Sequence, residues 1–102
     1  MTPRITLRAQ VFLWPGQQAA WHFARIPETV SARIKKKYGA QARGWGSLPV
    51  RATIGKTTWE SSLFPDKQSG TYLLPLKLAV RRAEDITQGD TVALSLVIRV
   101  AR

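Results

Sequence analysis

The stretch Tyr72–Val100, YLLPLKLAVRRAEDITQGDTVALSLVIRV, reads as a strand, a short helix, a turn and a second strand in close succession. Tyr72, Leu74 and Leu76 occupy alternate positions, as the residues on one face of a strand do. Pro75 stands at the strand-to-helix junction. Beyond it, Leu78, Ala79, Val80 and Ala83 supply the apolar stripe of a helix that ends near Glu84. Gln88-Gly89-Asp90 is turn chemistry. Val92, Leu94, Leu96, Ile98 and Val100 then form the longest clean alternation in the chain, a strand with one wholly apolar face.

The same grammar runs upstream. Ile5, Leu7, Ala9, Val11 and Leu13 alternate with Thr6, Arg8, Gln10, Phe12 and Trp14, which predicts a first half-buried strand. Pro15-Gly16 breaks it. Gln17-Gln18 lead into a second run, with Trp21 and Phe23 on one face and Ala20, His22 and Ala24 on the other, so the pair reads as a hairpin. Pro27 suits the first turn of a helix, and Val30, Ile34 and Tyr38 recur at four-residue spacing up to Gly39. Gly39–Leu48 (GAQARGWGSL) is Gly-rich and aperiodic, the best candidate for a mobile loop. Val50, Ala52 and Ile54 begin another strand, which Gly55-Lys56 turns into a partner over Thr57–Leu63. Phe64–Gly70 (FPDKQSG) reads as turn throughout.

Pro27 and Pro75 lie 48 positions apart, each preceded by a hairpin and followed by a helix and a strand. Val30 and Leu78 each fall three residues after them, and Arg33 and Arg81 each six after. Two such units are too few for a solenoid or propeller, whose faces need three or more units to be buried. A barrel with pseudo-twofold symmetry fits them better.

At 102 residues, the chain has room for one domain and one small core. It has no cysteine, which removes disulfides, thiolate metal sites and a Cys nucleophile together. The N-terminal alternation is unlike a signal peptide, and no apolar run reaches the roughly 20 residues that a membrane helix needs. A soluble, cytoplasmic protein is expected, with no membrane partner. Sixteen Lys and Arg face six Asp and Glu, for a net charge of +10. A field of that sign attracts polyanions, nucleic acid above all, although anionic membrane surfaces, acidic proteins or plain solubility would suit it too.

Few residues invite a catalytic reading. His22 is the lone histidine, so no conventional metal site is expected, and no cofactor. Ser61, Ser62, Glu60 and His22 contain the residue types of a hydrolytic triad, but no sharp nucleophile turn accompanies them. Asp90 suits a structural turn role. Glu84-Asp85, at a helix end, read as solvated acids. Gly39, Gly44 and Gly46 lack the downstream Lys-Ser/Thr of a phosphate loop. Trp14, Trp21 and Trp59 read mostly as core fillers, and any that the barrel cannot enclose would line a groove.

The densest cationic run is Arg33, Lys35, Lys36, Lys37 and Arg43, with Tyr38 and Trp45 nearby as stacking surfaces. Arg81 and Arg82 make a second patch on the equivalent helix. The seven cations and Trp45 are the candidate nucleic-acid contacts, with the cations on phosphates and Trp45 on a base. A solvated helix face beside a structural Trp is the other reading of the same residues.

In order and at compatible spacing, the chain carries Trp21-His22-Phe23 to Ile26-Pro27, Gly44-Trp45 before LPVRATI (Leu48–Ile54), the SLFPD turn, GTYLLPLK (Gly70–Lys77) and ITQGDTV (Ile86–Val92). On these motifs it resembles, over nearly its whole length, a bacterial family known as domain-of-unknown-function family 1905. That resemblance implies a fold similar to the double-split β-barrels of AbrB and MazE regulators and antitoxins. Leu74-Pro75, Val80-Arg81 and Ile86–Val92 match that group's strand, Pro, helix and Gly-Asp turn. Those regulators build one barrel from two chains, whereas both halves are present here, so closure needs no dimer.

The expectation is a single, mainly β domain over residues 1–102: a small double-split barrel of six or seven strands with two short helices. Its expected function is non-enzymatic binding of nucleic acid, DNA first, through a basic surface. The alternative is a barrel that binds a small molecule or a peptide and has no nucleic-acid role.

Overall fold

The computed structural model describes residues 3–15 and 21–99. The readings made at Gly16, Gln17, Gln18, Ala20 and Val100 lie outside these residues. Six strands close into one antiparallel barrel: β1 (Arg4–Leu13), β2 (His22–Arg25), β3 (Leu48–Ile54), β4 (Thr57–Asp66), β5 (Thr71–Pro75) and β6 (Thr91–Ile98). Around the wall the order is β1-β2-β5-β4-β3-β6, and β6 returns to β1. Two helices interrupt the strands, α1 (Glu28–Tyr38) and α2 (Leu78–Ala83).

Period-two alternation places the core. Ala9 and Val11 of β1, Val50, Ala52 and Ile54 of β3, and Val92, Leu94, Leu96 and Ile98 of β6 are all buried, while their neighbours face outward. Closure leaves no free sheet edge along these strands. Val30, Ile34 and Tyr38 of α1 join the same core, as their spacing predicts.

The two halves exchange without changing the topology. Swapping β1, β2, α1 and β3 for β4, β5, α2 and β6 returns the same set of strand neighbours. The offset is not the 48 positions between the prolines. At the β2–β5 seam, the Ile26 amide donates to the Tyr72 carbonyl and the Leu76 amide to the His22 carbonyl, both at 2.9 Å. These mirrored bonds relate residues 50 positions apart, so Ile26 corresponds to Leu76, and Pro27 to Lys77. Those last two are the residues immediately before α1 and α2. Pro75 instead ends β5, opposite Phe23. Because β2 and β5 are antiparallel, the helices that follow them leave from opposite rims.

Two boundaries and one burial pattern differ from the sequence reading. β4 runs to Asp66, through residues expected to turn, because Phe64, Pro65 and Asp66 pair with Leu73, Tyr72 and Thr71. Pro65 is tolerated there for a specific reason. The Tyr72 amide is bound to Ser31 Oγ and its carbonyl to Ile26, so no ladder bond toward Pro65 is lost. The span expected to be a mobile loop contains two 3-10 turns, Gly39–Gln41 and Gly44–Gly46, and gives up Leu48 to β3, which begins there and takes in Pro49. In α2 only Val80 is buried, and Leu78 is 49% exposed, because six residues cannot present a full apolar stripe to the wall.

Candidate nucleic-acid interface

The predicted cations divide into separate groups. Arg33, Lys35, Lys36 and Lys37 project from the exposed side of α1, the last three in its final turn, where positive charge suits the helix dipole. Arg33 and Lys37 border a cleft with Pro3 and Ile5, and the Lys37 ammonium lies 5.5 Å from the Tyr38 ring centre. On α2, Arg82 is exposed, but Arg81 is partly buried and donates from Nε to the Leu76 carbonyl at 3.0 Å. Since the helices leave from opposite rims, their charges do not merge into one surface.

Arg43 and Trp45 are both exposed, and Trp45 is the most open large apolar side chain described, at 94%. Its backbone is left-handed, with φ 63°, a conformation that disfavours bulky side chains. The next residue, Gly46, lies so close to β4 that an added Cβ would sit 3.0 Å from Pro65 Cγ. The loop therefore stands against the Phe64–Pro65 edge of the wall.

That edge belongs to a feature the sequence reading put mostly inside. Of the strand tryptophans, only Trp59 is buried; Trp14 is 36% and Trp21 56% exposed. Trp14 lies just past β1 and Trp21 just before β2, and the Trp14 amide donates to the Trp21 carbonyl at 2.9 Å. Phe12 and Phe23, paired across β1 and β2, complete an outward ring cluster. Their centroids are 5.9 Å apart, and Trp14–Phe23 and Trp21–Phe23 are 5.7 and 6.3 Å apart. Trp14, Trp21 and Phe23 line an exterior groove of about 360 Å³ with Phe64, Pro65 and Pro75. A wall one residue thick explains this: a side chain that alternates away from the barrel axis has only solvent or another outward side chain to meet.

Cations border the rings. Arg25 lays its guanidinium 4.4 Å from the centre of the Phe12 ring, and its Nη1 sits 3.7 Å from Asp66 Oδ2 and 3.5 Å from Thr71 Oγ1. Asp66 also accepts from Ser69 Oγ at 2.7 Å. That bond, with a smaller contribution from Arg25, holds its carboxyl below the ordinary carboxylate range. Arg8 and Arg25 line a cleft at the end of β2, beside Ile26 and Pro27. Lys77 and Arg81 line the corresponding cleft at the end of β5, beside Trp21 and Phe23.

The remaining candidates resolve simply. His22, Glu60 and Ser61 border the Lys77–Arg81 cleft together. The Glu60 carboxylate is committed elsewhere, with one oxygen 2.7 Å from Arg51 Nε and the other 2.7 Å from Arg99 Nη1. Asp90 accepts the Thr87 amide at 2.9 Å, the turn role its position suggested. Glu84 is not a solvated acid. Its Oε2 accepts from Thr57 Oγ1 at 2.6 Å and the Lys56 amide at 3.3 Å, tying α2 to the β3–β4 turn. Among the described residues, no group of three or more His, Asp or Glu is placed to hold a metal ion, and no helix is long and apolar enough to cross a membrane.

A family model described as "Domain of unknown function (DUF1905)" matches residues 8–96. No curated protein matches the chain.

Proposed function

The chain belongs to domain-of-unknown-function family 1905, a membership that carries no activity with it, and we propose that it is a non-enzymatic module that binds nucleic acid through its basic exterior. The observation that carries this reading is Trp45, a ring 94% exposed on a left-handed backbone and close in sequence to exposed Arg43. Backbone strain of that kind costs about 1–3 kcal/mol and persists chiefly where a site uses it. A flat ring beside a cation suits a nucleobase and its phosphate.

Charge supports the same class of ligand. Among the described residues, the ion pairs engage Arg25, Arg51 and Arg99, while Arg33, Lys35, Lys36, Lys37 and Arg82 stand exposed. The resemblance of Leu74-Pro75, Val80-Arg81 and Ile86–Val92 to the AbrB and MazE sequence pattern supports the same reading, by analogy alone.

The test is binding of labelled single-stranded DNA, duplex DNA and RNA at two ionic strengths. Affinity is expected to fall steeply between about 50 and 200 mM salt, and K35Q/K36Q/K37Q to weaken binding across all sequences with a shallower salt slope. No binding of any of the three at about 50 mM salt, with no retention on heparin, rejects the reading.

One observation favours a second reading. The groove between Trp14, Trp21 and Phe64 is apolar and open enough for a small molecule or a peptide. A thermal shift with a metabolite or peptide panel, in a chain indifferent to nucleic acid, would select it.

A further inference from the structure

The outward face of an antiparallel barrel that meets only water is normally polar. Here the faces of β1, β2, β5 and β4 that share the β2–β5 seam carry Phe12, Phe23, Phe64, Leu73 and Pro75, with Trp14 and Trp21 at the strand ends. Exposed singly, such residues need no explanation; gathered into one groove with three rings more than a third exposed, they mark a binding surface. The rings are also held in place. A backbone bond joins Trp14 to Trp21, Phe12 is capped by Arg25, and Arg25 is in turn fixed by Asp66 and Thr71. A face already ordered loses little freedom when a ligand lands on it.

What sits beside the rings indicates the ligand. The pseudo-twofold places one cleft at each end of the seam, and each contains a cationic pair, Arg8 with Arg25 and Lys77 with Arg81. The Lys77–Arg81 cleft shares Trp21, Phe23 and Pro75 with the ring groove, and the Arg8–Arg25 cleft shares Asp66, so the three form one continuous band. Three acids line this band: Asp66 is paired with Arg25 and bound by Ser69, Glu60 is held by Arg51 and Arg99, and Glu28 stands exposed at the Arg8–Arg25 cleft. The band is therefore apolar in the middle with a cationic pair at each end, matched by two acids in the Arg8–Arg25 cleft and outnumbering the one acid in the Lys77–Arg81 cleft.

We propose that this band is a platform for an unpaired nucleic-acid strand, with bases stacked on Trp14, Trp21 and Phe64 and the phosphate chain held by Arg8 and Arg25 at one end and Lys77 and Arg81 at the other. The proposal rests on the nucleic-acid reading above but names a different face from α1. A duplex hides the faces of its bases in its own stack, whereas a single strand offers them to protein rings, with little dependence on sequence. Gly46, which follows Trp45 in the chain, lies against Pro65 at the edge of this platform.

The experiment uses the full chain, with the triple variant K35Q/K36Q/K37Q and the double variant W21S/F64S, titrated with fluorescein-labelled oligothymidylate, oligouridylate and a DNA duplex of equal length. Oligothymidylate and oligouridylate are expected to bind at least tenfold more tightly than the duplex. W21S/F64S is expected to lose about tenfold or more for the single strands and to leave duplex binding unchanged. Preference between the two single strands separates DNA from RNA as the source. In case W21S/F64S does not fold, a second measurement uses W45F, in which intrinsic fluorescence still reports the platform. Single strands are expected to quench it, and the duplex is not.

Single-strand binding that survives in W21S/F64S but is lost in the α1 triple variant overturns the platform and leaves the nucleic-acid reading standing. Absence of quenching in W45F on saturation with either single strand also overturns the platform. Failure of all three nucleic acids to bind overturns both proposals. Quenching by a proline-rich peptide but by neither single strand assigns the groove to protein and overturns the platform.

Discussion

Ser31, buried on α1, accepts the backbone amide of Tyr72 on β5 at 3.0 Å and so stands in for a missing strand partner. Its own hydroxyl proton goes to the Ile26 carbonyl at 3.1 Å. One side chain thereby fastens the first helix to the wall of the second half. Ser31→Ala leaves the Tyr72 amide buried without an acceptor and is expected to cost about 1–3 kcal/mol. Urea denaturation would show this as a lower midpoint at unchanged slope.

Gly55 and Glu84 are coupled in the same way at the opposite rim. Gly55 has φ 57°, and a Cβ built there would lie 2.0 Å from Glu84 Oε1. To admit a methyl group, the carboxylate must leave Thr57 and Lys56. Gly55→Ala is expected to destabilise the protein by about 1–3 kcal/mol, part from the backbone and part from the lost bonds. In a Glu84→Ala background the second part is already gone. The two changes should then be non-additive by at least about 0.5 kcal/mol in a double-mutant cycle.

Asp66 makes stability depend on acid. Its folded carboxyl titrates below its ordinary value because Ser69 donates to the charged form and Arg25 lies close by. A depressed carboxyl stabilises the fold above its unfolded pKa, and that contribution disappears as pH falls through the depressed value. Asp66→Asn should be less stable than the parent at pH 7, and the gap should close as pH falls below about 4. Glu60, lowered chiefly by its hydrogen bond from Arg51, titrates in the same direction and leaves a residual acid sensitivity in the variant. Urea melts of both proteins from neutral to strongly acidic pH would check the sign; a gap that widened with acid would contradict it.

The candidate site was only partly legible before folding. The α1 cations, Arg43 and Trp45 could be named because charge density and Gly-rich context are local properties of a chain. Trp14 and Trp21 were read mostly as core, because on a strand a large ring is indistinguishable by composition from a core filler. Their exposure follows from position: both lie just outside the strand ends, clear of the barrel interior that Val11 and Ala24 occupy. Glu84 looked solvated because its partners, Thr57 and Lys56, are far away in sequence.

By itself, the sequence determined that this is a mainly β domain of two similar halves, because period-two alternation and turn residues act within a few positions of themselves. Tertiary structure decided the rest. The offset of 50 rather than 48, the passage of Pro65 through a strand, the separation of the two helices and the meeting of Arg25 with Phe12 all depend on which strand lies beside which. Register between distant segments is set only when the barrel closes, since only then does each strand have two neighbours to satisfy.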